Sequence, residues 1–230
     1  MTKELDKLGK VTLKPNARAR RVIVRYRENA FVATYPAKMK IPEVEKTLER
    51  MLPDLLSLKE RTPQNHLFTP EAEFRTYPFE VRIIAEGARF YLTLKEKVLY
   101  IVCPAQSDFQ DTALQNRIRE GIEAVLRSEA KRILPAWTKL LAGKHGFEIN
   151  QVKINKSRSR WGSCSMQKNI NLSYFCLLLP EHLIELVILH ELCHTRVMNH
   201  GEAFWVLLDK VTDGKAQMLT KELDKHHTRF

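Results

Sequence analysis

His190, Glu191 and His194 are the residues of this 230-residue chain whose types and spacing point most directly to chemistry. At about 100° per residue, helical positions four apart differ by about 40°, so the two histidines stand one turn above the other on one face. Two imidazoles so placed can ligate a single metal ion. Glu191 projects beside them, where a carboxylate can take a proton from metal-activated water, the working content of H-E-x-x-H. A catalytic metal site takes a third protein ligand and keeps one position open. His200 is the nearest candidate and Glu202 the second. On an unbroken helix His200 would point about 120° away from His194. The helix must therefore end between them. Asn199 tolerates a left-handed cap, and Gly201 adds freedom just afterwards.

The surroundings strengthen the metal reading. Pro180 and Glu181 suit the first turn of a helix. From Leu183 to Leu189 that helix is apolar nearly all round, Glu185 excepted, so it is buried in its domain. Three ionisable groups at the end of such a helix are costly to bury unless something satisfies them, and one cation satisfies all three. A following helix is predicted from Ala203 to Val211, with Glu202 able to head it and Phe204, Trp205 and Leu208 packing it on the core.

The remaining elements read from periodicity. Arg21–Arg27 alternates into a half-buried strand with a basic outer side, and Glu28-Asn29 offers a turn into a second strand, Phe31–Tyr35. A helix starts near Pro42 and kinks or ends at Pro53. Arg61–Tyr77 is polar and reads as loop. Strands come next at Phe79–Ile84, Phe90–Leu94 and Val98–Cys103, with turns at Glu86–Ala88 and Lys95–Lys97. Thr112–Leu141 is helical, with Pro135 placed to divide it. Phe147–Ile154, Arg158–Ser163 and Ile170–Phe175 read as a small antiparallel meander.

Composition sets outer bounds. Hydrophobic residues are 44% and charged residues 28%, an ordinary globular balance. The surplus of 38 Lys+Arg over 27 Asp+Glu gives +11, which favours anionic contacts without naming one. Cys103, Cys164, Cys176 and Cys193 are scattered, so no disulfide framework or cysteine-rich metal site is expected, and free thiols suit a reducing compartment. The charged first residues lack a signal-peptide core, and no apolar run approaches the roughly 20 residues that span a bilayer. The cytoplasm is the expected location, with no membrane partner.

Arg158-Ser159-Arg160-Trp161-Gly162-Ser163-Cys164-Ser165, Asn169-Ile170-Asn171-Leu172, the His190–His194 segment and Asn199-His200-Gly201-Glu202-Ala203-Phe204-Trp205 together resemble the YgjP-like metal-dependent hydrolases. That family is classed with predicted zinc metallopeptidases and is distantly related to the SprT-like and WLM groups. The match is strong from Lys153 to about Val211. The histidine spacing also resembles the metzincin pattern H-E-x-x-H-x-x-G-x-x-H, except that Val197 occupies its glycine position. The resemblance implies that His190, His194 and His200 hold Zn2+, that Glu191 is the general base, and that a peptide or protein is the substrate. It places Arg158–Ser165 beside the site, making Arg160, Trp161 and Ser163 the candidate substrate contacts. Arg160 either orients a substrate carbonyl or carboxylate, or clamps the fold by stacking on Trp161. Cys164 and Cys193 read as small buried residues rather than nucleophiles.

The expected fold is α+β. An N-terminal antiparallel β-rich part with a helix occupies 1–108, and a zincin-like part with a small antiparallel sheet on a buried metal-binding helix occupies 109–230. Two other functions stay open: an SprT-like protease acting on DNA-associated proteins, and a non-enzymatic basic protein with a structural metal site. Nucleic acid is allowed as a partner by the charge but not favoured, since no dedicated binding element is evident.

Overall fold

The computed structural model describes residues 2–5, 8–27, 30–61 and 66–230. The Glu28-Asn29 turn and part of the Arg61–Tyr77 loop, 62–65, lie outside the described residues. The chain divides into two compact units, Met1–His66 with Phe230, and Leu67–Arg229. The 108/109 boundary expected from composition falls inside the second unit. There Gln115, near the start of a long helix, accepts from Phe68 N and donates to Phe68 O, which ties 67–108 to that helix.

In the first unit the strands β1 (Thr2–Leu5), β2 (Gly9–Asn16), β3 (Ile23–Arg27) and β4 (Ala30–Pro36) precede helices α1 (Ile41–Arg50) and α2 (Leu52–Arg61). The sheet order is β1-β2-β4-β3, with β2 and β4 parallel and the other pairs antiparallel. The expected antiparallel β-rich part is present, with one parallel pair in this sheet, because β3 returns beside β4 and leaves β4 to run along β2. Alternation does the sorting: Val11, Leu13, Phe31, Ala33 and Tyr35 are buried in one core with Val44, Leu48 and Leu55 of the helices. Pro53 sits in the first turn of α2, where its missing N–H costs nothing, so the break falls at Met51.

The second unit begins with β5 (Phe74–Arg75), β6 (Glu80–Gly87), β7 (Tyr91–Lys95) and β8 (Val98–Pro104), in the order β5-β6-β8-β7. Glu96 and Lys97, at φ 48° and 64°, make the two-residue turn that closes β7 on β8. Helix α3 (Thr112–His145) then runs unbroken through Pro135. The division expected at that proline does not occur. Ile118, Ile122, Leu126, Ala130, Leu134 and Leu141 form one buried stripe across it, and their burial outweighs the roughly 3 kcal/mol that an interior proline costs. Asp111 caps the start by accepting from Ala113 N and Leu114 N, and Gly146 ends the helix at φ 68°.

Three strands position the site: β9 (Gln151–Asn155), β10 (Gly162–Cys164) and β11 (Asn169–Ser173). Their order is β10-β11-β9, with β10 antiparallel and β9 parallel to β11. The expected meander is corrected by this order. The connection 156–161 carries the chain past β11, where Ser173 Oγ donates to Ser157 O at 2.7 Å, and β10 then turns back beside β11. After a 3-10 turn, Tyr174–Leu178, come helices α4 (Glu181–Cys193), α5 (Glu202–Val211) and α6 (Ala216–Leu223). Nine residues of α4 are buried, Leu183 to Leu189 almost without interruption, as its all-round apolar sequence requires. The fold is α+β. No helix among the described residues is long and apolar enough to cross a membrane.

Candidate metal centre

Helix α4 delivers His190 and Glu191 in its last turn and ends on His194, whose φ −64° and ψ −17° are right-handed. The chain then tightens at once. Thr195 N donates to Leu192 O and Arg196 N to Cys193 O, both at 3.0 Å, and Val197 N donates to Cys193 O at 2.9 Å. The left-handed cap expected at Asn199 is not used, because the helix stops five residues earlier through these short turns. Gly201, extended at φ −76° and ψ −175°, opens α5.

This turn brings His200 back over the helix end. The three Nε2 atoms stand 3.2 Å apart for His190–His194, and 3.1 Å for each pair with His200. An imidazole N–H reaches one partner along one direction, so hydrogen bonding does not explain a near-equilateral triangle of ring nitrogens. Convergence on one bound cation would give such a triangle. Nitrogens about 2.0–2.1 Å from one tetrahedral centre lie about 3.3 Å from each other. His194 Nδ1 donates to Val197 O at 3.1 Å, and since a carbonyl only accepts, the proton is on Nδ1 and the Nε2 lone pair is free for a cation. Val197, in the metzincin glycine position, thus contributes its main-chain carbonyl. Glu202 heads α5, exposed, and is outside the gathered triad.

Beneath the triad lies Phe204 of α5, fully buried, with ring centroids 4.9, 4.6 and 4.8 Å from His190, His194 and His200. The sequence marks it as a core residue; its contact with all three histidines is visible only in the fold. Phe204→Ala is expected to destabilise the protein by about 3–5 kcal/mol and to weaken metal affinity about 10- to 100-fold. Calorimetry and a competitive metal titration check both numbers.

Glu191 is buried, and its Oε2 has no hydrogen-bond partner among the described residues. Burial pushes its carboxyl up to about 8, while the Arg160 charge draws it down. The side chain packs directly on β10: a Cβ built on Gly162 would lie 2.6, 2.7 and 2.8 Å from Glu191 Oε1, Cγ and Cδ. Gly162 is therefore a close-approach position against Glu191 that residue-type reasoning missed, and only the crossing of β10 over α4 exposes it. Burial, then the two neighbouring histidines, pull His190 down to about 4, and burial also lowers His194.

These shifts fix the pH response of the metal-free protein. Folding favours protonated Glu191, so its contribution is complete below the ordinary value of 4.5 and is lost as pH rises through about 8. Folding favours neutral His190, whose contribution is complete above 6.5 and is lost as pH falls through about 4. Between 4.5 and 6.5 the Glu191 slope is opposed by those of His190 and His194, and above 6.5 Glu191 acts alone. With metal chelated, the stability of Glu191→Gln should not share the wild-type decline of roughly 2 kcal/mol between pH 6.5 and 8. Denaturant melts across that range read the difference between the two proteins.

A cleft of about 250 Å³ is lined by Gly162–Cys164, Met198, Glu191 and the three histidines, and neither Arg160 nor Trp161 is in its lining. Ser163 is on its wall. Arg160 is exposed at the entry to β10, and Trp161 is half-buried. Arg158, two residues before Arg160, clamps the fold: it stacks over Phe175 at 4.2 Å, pairs with Glu123 and donates to Thr228 O at 2.7 Å. Trp161 O accepts from Ser173 N at 2.8 Å, and Ser165 N donates to Asn169 O at 3.0 Å, so both face β11. Antiparallel alternation then turns the amides of Gly162 and Cys164 to the opposite edge, which has no strand partner among the described residues. Burial raises all four thiols, Cys164 to about 11 and Cys193 to about 12, which disfavours the thiolate; Cys193 is buried as expected, whereas Cys164 is half-buried on the cleft wall.

A sequence profile of the YgjP-like metallopeptidase domain matches residues 20–226. The chain belongs to the YgjP-like metallopeptidase family. It is a metal-dependent hydrolase, as the family assignment requires. The match spans the boundary between the two units and takes in β3 and β4 of the N-terminal sheet as well as the histidine cluster. Among solved structures, the metallopeptidase zymogen abylysin of Pyrococcus abyssi is similar at 21% identity and a TM-score of 0.36, over 40% of this chain and 94% of that one. A score that low does not define a common fold, and the assignment rests on the sequence match. No curated protein matches.

Proposed function

We propose that His190, His194 and His200 hold a zinc ion and that Glu191 is the general base of peptide-bond hydrolysis, all within the 109–230 part of the chain. The triangle of Nε2 atoms carries this reading, since it gathers three imidazole nitrogens at spacings a tetrahedral ion requires. Imidazoles suit zinc better than magnesium or calcium, which prefer oxygen. When bound, the ion supplies Lewis acidity, lowering the pKa of water and polarising the scissile carbonyl.

The chain's own residues do the rest. Glu191 Oε2, left without a protein partner among the described residues, accepts the proton of the attacking water and hands it to the leaving amine. An unpartnered buried carboxylate beside the triad has no use in a purely structural site, which disfavours the binding-protein reading. The outward amides of Gly162 and Cys164 pair with an extended substrate, adding a strand to the sheet. Arg160, Trp161 and Ser163 flank that strand and contact the substrate on either side of the scissile bond.

Removing the metal is the direct test. Dialysis against a chelator should abolish hydrolysis of an internally quenched peptide library, and one equivalent of zinc per chain should restore it. Activity that survives complete chelation would sink the proposal.

A further inference from the structure

The positive charge of this chain is not spread evenly. Residues 1–66 carry 15 Lys+Arg against 8 Asp+Glu, a net +7 of the total +11. Within 8–27 there are seven Lys or Arg and no acidic residue.

The fold gathers Lys10, Lys14 and Arg25 on one side of the N-terminal sheet, with Arg18, Arg20 and Arg21 in the connection between β2 and β3. Register places Arg25, Val32 and Thr12 in one row across β3, β4 and β2, and Ile23, Thr34 and Lys14 in the next. Lys10 lies on the same side, opposite Glu4. Val11, Leu13, Phe31 and Ala33 point the other way into the core. Lys10, Lys14, Ile23 and Arg25 are exposed, as are Arg18, Arg20 and Arg21 in the connection from β2 to β3. None of the six bases on this face and connection has an acidic partner among the described ion pairs. By contrast, Lys3, on the helix-facing side of β1, is neutralised by Glu45.

We propose that this sheet face binds the phosphodiester backbone of nucleic acid. The complement to an unneutralised basic field is a regular polyanion, and Lys, Arg and Thr are the side chains that contact phosphate. A membrane surface fits less well, because bases there work beside apolar side chains that insert, and Ile23 is the one large hydrophobic exposed between 8 and 40 among the described residues. The aromatic residues Tyr26, Phe31 and Tyr35 are buried on the core side, so no stacking platform for unpaired bases is presented. Binding is therefore independent of sequence and stronger for duplex than for single strands.

Fluorescence anisotropy on the full chain tests this with labelled 24-mers: duplex DNA, duplex RNA and single-stranded DNA. If all six bases engage, log Kd should rise with log salt at a slope of about 5, a loss on the order of a thousandfold between 50 and 200 mM. Arg18, Arg20, Arg21 and Arg25 changed together to Gln, or to Glu, should weaken binding at least tenfold at 100 mM salt. Lys131→Glu with Lys139→Glu, exposed on α3, should not. Folding of each variant is checked by its melting curve. The DNA and RNA arms decide which duplex is preferred. Absence of binding at 50 mM salt, equal binding by the quadruple variants, or retention on anionic vesicles alone would overturn the proposal.

Discussion

Glu191→Gln is expected to lower kcat/KM for a cleaved peptide by about a thousandfold while zinc remains bound at one ion per chain. Gln has the shape to keep its packing on Gly162, so the fold and the triad are undisturbed. What is lost is proton acceptance, which general acid–base catalysis values at about 10²- to 10⁴-fold. The loss should fall on kcat, with KM nearly unchanged, because the carboxylate acts on water rather than holding the peptide. Metal analysis and steady-state kinetics on one preparation separate the two effects. A variant as active as wild type would remove Glu191 from the mechanism and leave the triad as a metal site without its base.

Gly162→Ala should be nearly as damaging, at about a hundredfold in kcat, although it removes no functional group. The three atoms nearest the new Cβ, at 2.6–2.8 Å, all belong to Glu191. Glu191 is anchored by a helix with nine buried residues, so either the carboxylate rotates away or β10 lifts. Both separate the base from the strand proposed to hold substrate, and a displacement of about 1 Å at a reacting centre costs about a hundredfold. Zinc affinity should stay within a few-fold of wild type, because no imidazole is among the nearest neighbours of the added carbon. Loss of zinc in this variant would mean that Gly162 supports the ligands rather than the base. Full activity with zinc retained would mean that the strand and Glu191 move independently.

How much of the fold and site is legible in the sequence depends on the range of each interaction. His190 and His194 share a face because helix geometry is local, and the apolar run from Leu183 to Leu189 announces the burial of α4. The class α+β and most elements emerge from periodicity in the same way. Sheet order does not. The parallel pairings of β2 with β4 and of β9 with β11 depend on which strand returns beside which, and alternation within a strand is silent on that. Strands β1, β2 and β5 and helix α6 are not evident in the sequence, since each is short, exposed or mostly polar. His200 needs a turn that sequence reasoning misplaces: Asn199 offers plausible cap chemistry, but the tight turn after His194 reverses the chain instead. Gly162 is invisible without knowing that β10 crosses Glu191, because a glycine kept for close approach resembles any other glycine in the sequence.

The central claim is that three imidazoles converge on one zinc ion with Glu191 beside an open position. Anomalous diffraction from crystals of the zinc-loaded protein, recorded above and below the zinc edge, tests it most directly. The expected result is a single strong peak about 2.0–2.1 Å from Nε2 of His190, His194 and His200, present above the edge and absent below it. A peak elsewhere, a zinc ion bound through Glu202 instead of His200, or Glu191 itself as a direct ligand would contradict it.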